Sequence, residues 1–235
     1  MEVSARFPHM MKAEILSGLP KRFRRNFLDR CTVQVYEKPT HILVQGEHSP
    51  GMWLIADGSV EVLYLGEDGQ QTFFARAPAG SIVGETEAIT DQQCAATVEA
   101  MANSTLLFCP KSLLLEMLTS VDFVKNMVKV FHGHLLQLNY FKLVDRHSPV
   151  DHRLCAYLLM FSERNNKIFD SQSYLAGVVG CSRQTINKEL GVLRDNNWIS
   201  IKKGIIEILD REKLESFLNV NPLASPPDVD VTSGQ

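Results

Sequence analysis

The chain has 235 residues, of which 45% are apolar and 22% charged, with a net charge of −3. That length accommodates two modest domains with a core each, and the slightly acidic balance excludes a globally basic nucleic-acid-coating protein, so any contact with nucleic acid must come from a local patch. No apolar run approaches a membrane span, and the opening "MEVSARFPHMMKAEILSGL" lacks the apolar core and small-residue cleavage site of a signal peptide, so the expectation is a cytoplasmic protein with no membrane partner.

The first segment reads as one or two short helices, Met11–Ser17 and Lys21–Cys31, the second with Pro20 at its start. From Val33 to Cys109 the texture changes. Short alternating or β-branched runs ("TVQVYE", "HILVQG", "MWLIADG", "SVEVLYLG", "QTFFARA", "ATVEAMA", "STLLFC") are separated by turn signals such as "EHSPG", "GEDGQ" and "APAGS". Seven or eight strands at this spacing predict a jelly-roll barrel or sandwich, able to enclose one small ligand or a plain packed core. The cysteines, Cys31, Cys94, Cys109, Cys155 and Cys181, are odd in number, scattered and without a CxxC pair. A disulfide framework or zinc site is therefore not expected, and buried reduced thiols are.

Helical periodicity follows. Lys111–Thr119 reads as a short helix and Asp122 to about Arg146 as a long one. Along it Val124, Phe131 and Leu138 recur every seven residues, Met127, His134 and Phe141 fill the seam, and Val128 and Leu135 flank it. A stripe sustained over about three heptads fits either a helix lying on its own barrel or, favoured on a long helix between two domains, a parallel homodimer with Val124, Met127, Phe131, Leu135, Leu138 and Phe141 at the interface. Pro149 in "RHSPV" ends the helix and marks a domain boundary. Beyond it, helices are expected from Asp151 to about Arg164, Ser171 to Val179 and Ser182 to about Asn196. Two strands, "WISIKK" and "IIEIL", then meet at a Lys203-Gly204 turn, and a last helix covers Glu212–Asn219. Three helices plus a β-hairpin make a winged helix-turn-helix.

The third of these helices carries the chemistry. Its opening, Ser182-Arg183-Gln184-Thr185, is polar, and a helix N-terminus offers free N–H donors and a positive dipole end to phosphate. In a helix-turn-helix this turn meets base edges in the major groove of double-stranded DNA. Arginine can hold guanine, and glutamine adenine, through two hydrogen bonds, so Arg183 and Gln184 are the expected base readers. Lys188 lies one turn beyond Gln184 on the same face. Ser182 and Thr185, and Ser171 and Ser173 on the preceding helix, are expected at phosphates. Lys202 and Lys203 sit where a wing would flank the groove. Each residue alone is compatible with an ordinary solvated surface; the set points to DNA.

"GCSRQT" ahead of "NKELGVLRDNNWIS" resembles the recognition helix of the cAMP receptor protein/FNR (CRP/FNR) family of bacterial transcription regulators. The resemblance extends over nearly the whole chain through Gly46-Glu47, "MWLIADGSVEV", "GEDGQ" and "GSIVGETEAI" leading to "ATVEA". It implies an α+β fold: an N-terminal β jelly-roll barrel of the cyclic-nucleotide-binding type, a long dimerisation helix, and a C-terminal winged helix-turn-helix. The corresponding divisions are a sensory barrel with N-terminal helices at 1–120, the dimerisation helix and hinge at 121–148, the DNA-binding domain at 149–219, and a disordered tail at 220–235. It further implies a homodimer on a pseudo-palindromic site and contact with RNA polymerase, as in an activator. The Gln184 position is often Glu in the family, which implies an altered half-site preference.

The same resemblance frames the effector. In cyclic-nucleotide binders of the family a Gly-Glu pair opens a phosphate-binding cassette, matched here by Gly84 and Glu85 with Thr86 following. The cassette then normally supplies an Arg and a Ser or Thr, where this chain has Cys94 and Ala95. An arginine–phosphate pair is a strong, often bidentate contact, and the nearest candidate, Arg76, lies on another strand. On the long helix the base-contacting position falls near Leu138 and Asn139, of which only Asn139 is polar. Cyclic AMP is therefore disfavoured, no cofactor is assigned, and a different small ligand or none is expected. The alternatives are a true cyclic-AMP-dependent regulator and a thiol-responsive one acting through Cys94 or Cys109. No metal is expected: the N-terminal cysteine cluster of the family's iron–sulfur members is missing, and His132 and His134 lie about 200° apart around their helix. A cupin-type enzyme would need a His-x-His motif that the barrel segment lacks, and a nucleophilic triad has no Gly-x-Ser-x-Gly, so no enzyme activity is expected.

Overall fold

A computed structural model describes residues 2–66, 71–162 and 166–218, and within the long helix it leaves out the side chains at 137, 141, 143 and 145–147. The tail at 220–235, Asn219, Arg164, most of the "GEDGQ" turn and the side chain of Phe141 therefore lie outside the described residues.

The chain begins with α1 (Val3–Arg6) and two 3-10 turns, Pro8–Lys12 and Glu14–Leu16, before α2 (Lys21–Asp29). The single helix expected over Met11–Ser17 is thus replaced by tighter turns. Ala13 and Ser17 are extended, at ψ 142° and 137°, because the segment winds across the core so as to bury Met10, Ile15 and Leu16 together. Strands β1 (Thr32–Tyr36), β2 (Thr40–Leu43), β3 (Gly51–Asp57), β4 (Ser59–Leu65), β5 (Gln71–Pro78) and β6 (Ile82–Val83) follow. Then come α3 (Glu85–Thr90), β7 (Thr97–Ala100), β8 (Ser104–Pro110) and α4 (Lys111–Met117). Among the described residues they form two four-stranded antiparallel sheets, β1-β8-β3-β6 and β2-β7-β4-β5, in the crossed order of a jelly roll. The two-residue β6 and the short α3 were not expected from the sequence.

Alternation along β3 sets up two cores. Met52, Leu54 and Ala56 face α2, α4 and the 3-10 turns, whereas Trp53 and Ile55 face the opposite sheet with Leu43, Val60, Val98 and Leu106. The run reads as continuously apolar because both faces of this central strand are covered. Inside, the Trp53 and Phe108 rings pack at 4.9 Å, and Trp53 Nε1 donates to Gln34 Oε1 at 2.8 Å.

The long helix α5 spans Val121–His147. Pro149 ends it as expected and becomes the N-cap of α6 (Val150–Phe161). The chain divides into two compact units, Met1–His132 and Gly133–Gln235, so α5 contributes to both. The second unit continues with β9 (Lys167–Ile168), α7 (Gln172–Val179), α8 (Arg183–Asp195), β10 (Ile199–Lys202), β11 (Ile205–Ile208) and α9 (Arg211–Phe217). Its sheet runs β10-β11-β9, so β9 adds a third strand to the expected hairpin. Lys202 pairs with Ile205 across a two-residue turn in which Lys203 and Gly204 have φ of 51° and 80°. Positive φ at both positions is the primed turn that matches strand twist.

Candidate functional site

The α8 helix is built to show one face. Ile186, Leu190 and Leu193 are buried at i, i+4 and i+7, each contributing about 1.5–3 kcal/mol of apolar burial, and this fixes the rotation of the helix. Arg183, Gln184, Asn187 and Lys188 are consequently exposed on the other side. Gly180, at φ 71°, closes α7, with the Cys181 amide donating to Ala176 O at 3.0 Å. Ser182 then caps α8: its Oγ accepts from the Thr185 amide at 3.1 Å and lies 2.9 Å from Thr185 Oγ1. Such a cap is worth about 1 kcal/mol. Ser171 caps α7 in the same way, accepting from the Tyr174 amide at 3.1 Å.

Ser171, Ser173, Ser182, Arg183, Gln184, Lys188, Lys202 and Lys203 are all exposed, and Thr185 is half-buried. The two lysines occupy the end of β10 and the wing turn. Arg194 is engaged by Asp195 at 2.8 Å, which reduces its share in the basic face. Asn187 was not singled out in the sequence; its spacing of four from Arg183 is the signal that identifies it.

The barrel residues are arranged differently. Gly84 is the N-cap of α3 at φ 80°, and a Cβ there would meet Gly51 O and Leu43 Cδ1 at 3.0 Å, so both conformation and space require glycine. Glu85 is 5% exposed. Its Oε1 accepts weakly from Thr86 Oγ1 at 3.4 Å, while its Oε2 is buried without a hydrogen-bond partner. Burial, opposed by a backbone N–H bond and reinforced by the charge of Glu87, pushes this carboxyl up to about 7.

Cys94 is buried in the barrel core, and burial raises its thiol pKa above the ordinary value, which makes it a poor thiolate. Ala95 and Thr86 are exposed. Arg76 is not free to replace the arginine of the cassette: its Nε donates to Glu61 Oε1 at 3.1 Å across β4 and β5, and both side chains are largely buried. Asn139 is exposed on the part of α5 that belongs to the second unit. Among the described residues, the positions that follow Gly84 and Glu85 in the cassette, Cys94 and Ala95, carry no cation that could meet a cyclic phosphate. Among the described residues no group of three His, Cys, Asp or Glu side chains could hold a metal ion.

On α5, Val124, Val128, Leu135 and Leu138 are exposed apolar side chains, joined by Val121. Met127 is not among them. It is buried in the core of its own unit, and Phe131 packs against that core, because the apolar stripe is wide enough to face two ways.

Comparisons with known proteins agree with this architecture. A cyclic nucleotide-binding domain matches residues 33–120, and a Crp-like helix-turn-helix domain matches residues 152–217. The chain is 23% identical over 184 residues to the cAMP-activated global transcriptional regulator CRP of Escherichia coli, covering 74% of this chain and 88% of that protein. The structure of FixK2 from Bradyrhizobium japonicum is similar at a TM-score of 0.69 and 16% identity, covering 79% of this chain and 96% of that one. A CRP/FNR transcriptional regulator from Thermus thermophilus is similar at 0.62 and 20% identity, covering 80% and 99%. No described helix is long and apolar enough to cross a membrane.

Proposed function

The chain belongs to the CRP/FNR family of bacterial transcription regulators, and on that premise we propose that it binds a pseudo-palindromic DNA site as a homodimer, under control of a sensory barrel from which the phosphate-binding arginine is missing. The family is one of DNA-binding regulators rather than enzymes. What carries the reading is the outward face of α8, where Arg183, Gln184, Asn187 and Lys188 stand exposed on a helix locked by three buried residues and a serine cap. Arg183 and Gln184 read base edges, while Ser171, Ser173, Ser182, Thr185, Lys202 and Lys203 hold phosphates. The exposed stripe of α5 supplies the partner surface, which sets two α8 helices one helical turn of DNA apart, about 34 Å. RNA polymerase is the further partner of an activator of this kind.

The effector is a small molecule without a cyclic phosphate. Cys94 and Ala95 offer no cation, and Arg76 is committed to Glu61. Glu85, with one oxygen unpartnered, is left to receive a hydroxyl or amine. In a thermal-shift screen cyclic AMP at micromolar concentration leaves the melting temperature unchanged; a rise would restore the cyclic-AMP-dependent reading.

Gel-shift titration at two salt concentrations tests the DNA assignment. Arg183→Ala costs about 1–3 kcal/mol on the specific site and relaxes preference at one base pair, while Lys203→Ala weakens all sequences alike. If both variants changed affinity for specific and random duplexes equally, base reading by α8 would be refuted.

A further inference from the structure

On the N-terminal helical layer four cations line one hollow, and among the described residues none of the four makes an ion pair. Lys12, at the end of the first 3-10 turn, and Lys21, Arg24 and Arg25, on the opening turns of α2, surround a cavity of about 480 Å3, a size typical of small-ligand sites. Glu2 contributes the single carboxylate of the lining. Among the described residues the ion pairs made by lysine and arginine lie elsewhere, at Arg30, Arg76, Lys111, Arg194, Arg211 and Lys213. The nearby Asp29 is engaged by Ser4, whose amide and hydroxyl donate to it at 2.8 and 3.1 Å.

Arg24 is the fixed point of the hollow. Its Nη1 donates to Met11 O at 2.8 Å, and its Nε is buried with no acceptor. A guanidinium held rigidly and short of an acceptor favours an anion with several oxygens. The start of α2 adds to the positive potential, since Pro20 provides no side-chain cap and the first turn holds no acid.

We propose that this hollow binds a phosphate-bearing small molecule with two or more negative charges. Like charges gathered in a concavity repel one another, and a polyvalent anion offsets that repulsion at four points at once. A concave site with Arg24 half-buried in its lining suits a free phosphate chain better than the broad surface of a duplex. The ligand also bears on α5, because Phe27 on the buried side of α2 packs against Phe123 with ring centroids 5.9 Å apart. None of the residues lining this hollow belongs to the barrel interior or to α8.

Isothermal titration calorimetry of the full chain with sodium pyrophosphate and tripolyphosphate tests the proposal. One anion binds per chain, and Arg24→Gln and Lys21→Gln each weaken binding about tenfold or more, the worth of one charge-assisted hydrogen bond. Lys203→Gln, on the wing, leaves the affinity unchanged. Because Arg24→Gln also gives up the bond to Met11, the exposed Arg25→Gln serves as a second variant that keeps that bond and still weakens binding. A nucleoside diphosphate titrated alongside shows whether a nucleotide or an inorganic phosphate chain is preferred; either ranking upholds the site. Three results overturn it: no binding at millimolar anion, equal binding by the parent chain and the hollow variants, or a loss confined to Lys203→Gln, which would place the anion on the DNA-binding face.

Discussion

At Glu85 the protein holds a carboxyl out of reach of water, with one oxygen unpartnered and its titration pushed up to about 7. A carboxyl raised in the folded state keeps its proton where the unfolded chain, near the ordinary 4.5, has already lost it. Its unfavourable contribution is therefore absent below pH 4.5, grows between 4.5 and 7, and is complete above that. Glu85→Gln removes the effect: the variant and parent melt alike at pH 4.5, and by pH 8 the variant is more stable by about 3 kcal/mol at 1.36 kcal/mol per unit. Parallel melting curves across that range would show that Glu85 is not desolvated. The resemblance to cyclic-nucleotide binders pointed to Glu85 through the Gly84-Glu85 pair, but nothing in the order of residues announced an unpartnered buried oxygen. The commitment of Arg76 to Glu61 was equally invisible, since it depends on the register that sets the two opposite each other across β4 and β5.

Among the elements, α8 was the most legible, because Ile186, Leu190 and Leu193 fix one face and Ser182 fixes the start. Ser182→Ala removes the acceptor of the Thr185 amide, which lowers stability by about 1 kcal/mol and weakens DNA binding; calorimetric melting and gel shift on the same variant measure both. The long barrel strands were legible from alternating or β-branched runs between turn signals, whereas β6 and β9, two residues each, are too short to carry a period. On α5 the recurrence every seven residues marked a long helix, which is present, but not which side its own domain covers. Met127 is buried and Phe131 packs inward, while Leu135 is 60% exposed. Leu135→Asp is thus the cleaner test of pairing: light scattering reports a monomer for the variant at unchanged helicity, and a persistent dimer would move the partner surface off this stripe.

For the whole molecule, a net charge of −3 coexists with Arg183, Lys188, Lys202 and Lys203 exposed on one domain. Affinity for any duplex should fall steeply with salt, and neutralising Lys202 or Lys203 should lower the slope of log affinity against log salt by about one unit each. Unchanged slopes would mean that the wing does not touch phosphate. The end of the long helix at Pro149 was readable because it interrupts a periodic pattern, but the two compact units divide earlier, between His132 and Gly133 within α5; the hollow beneath α1 was not readable, since it forms only when the 3-10 turns depart from the expected helix. Strand β3 has the most general consequence. Consecutive residues Met52 and Trp53 belong to different cores, so this one ribbon of backbone is a wall shared by two rooms. Neither room can be repacked without disturbing the other, and in deuterium oxide the amides of this wall should be the last in the domain to trade their hydrogens.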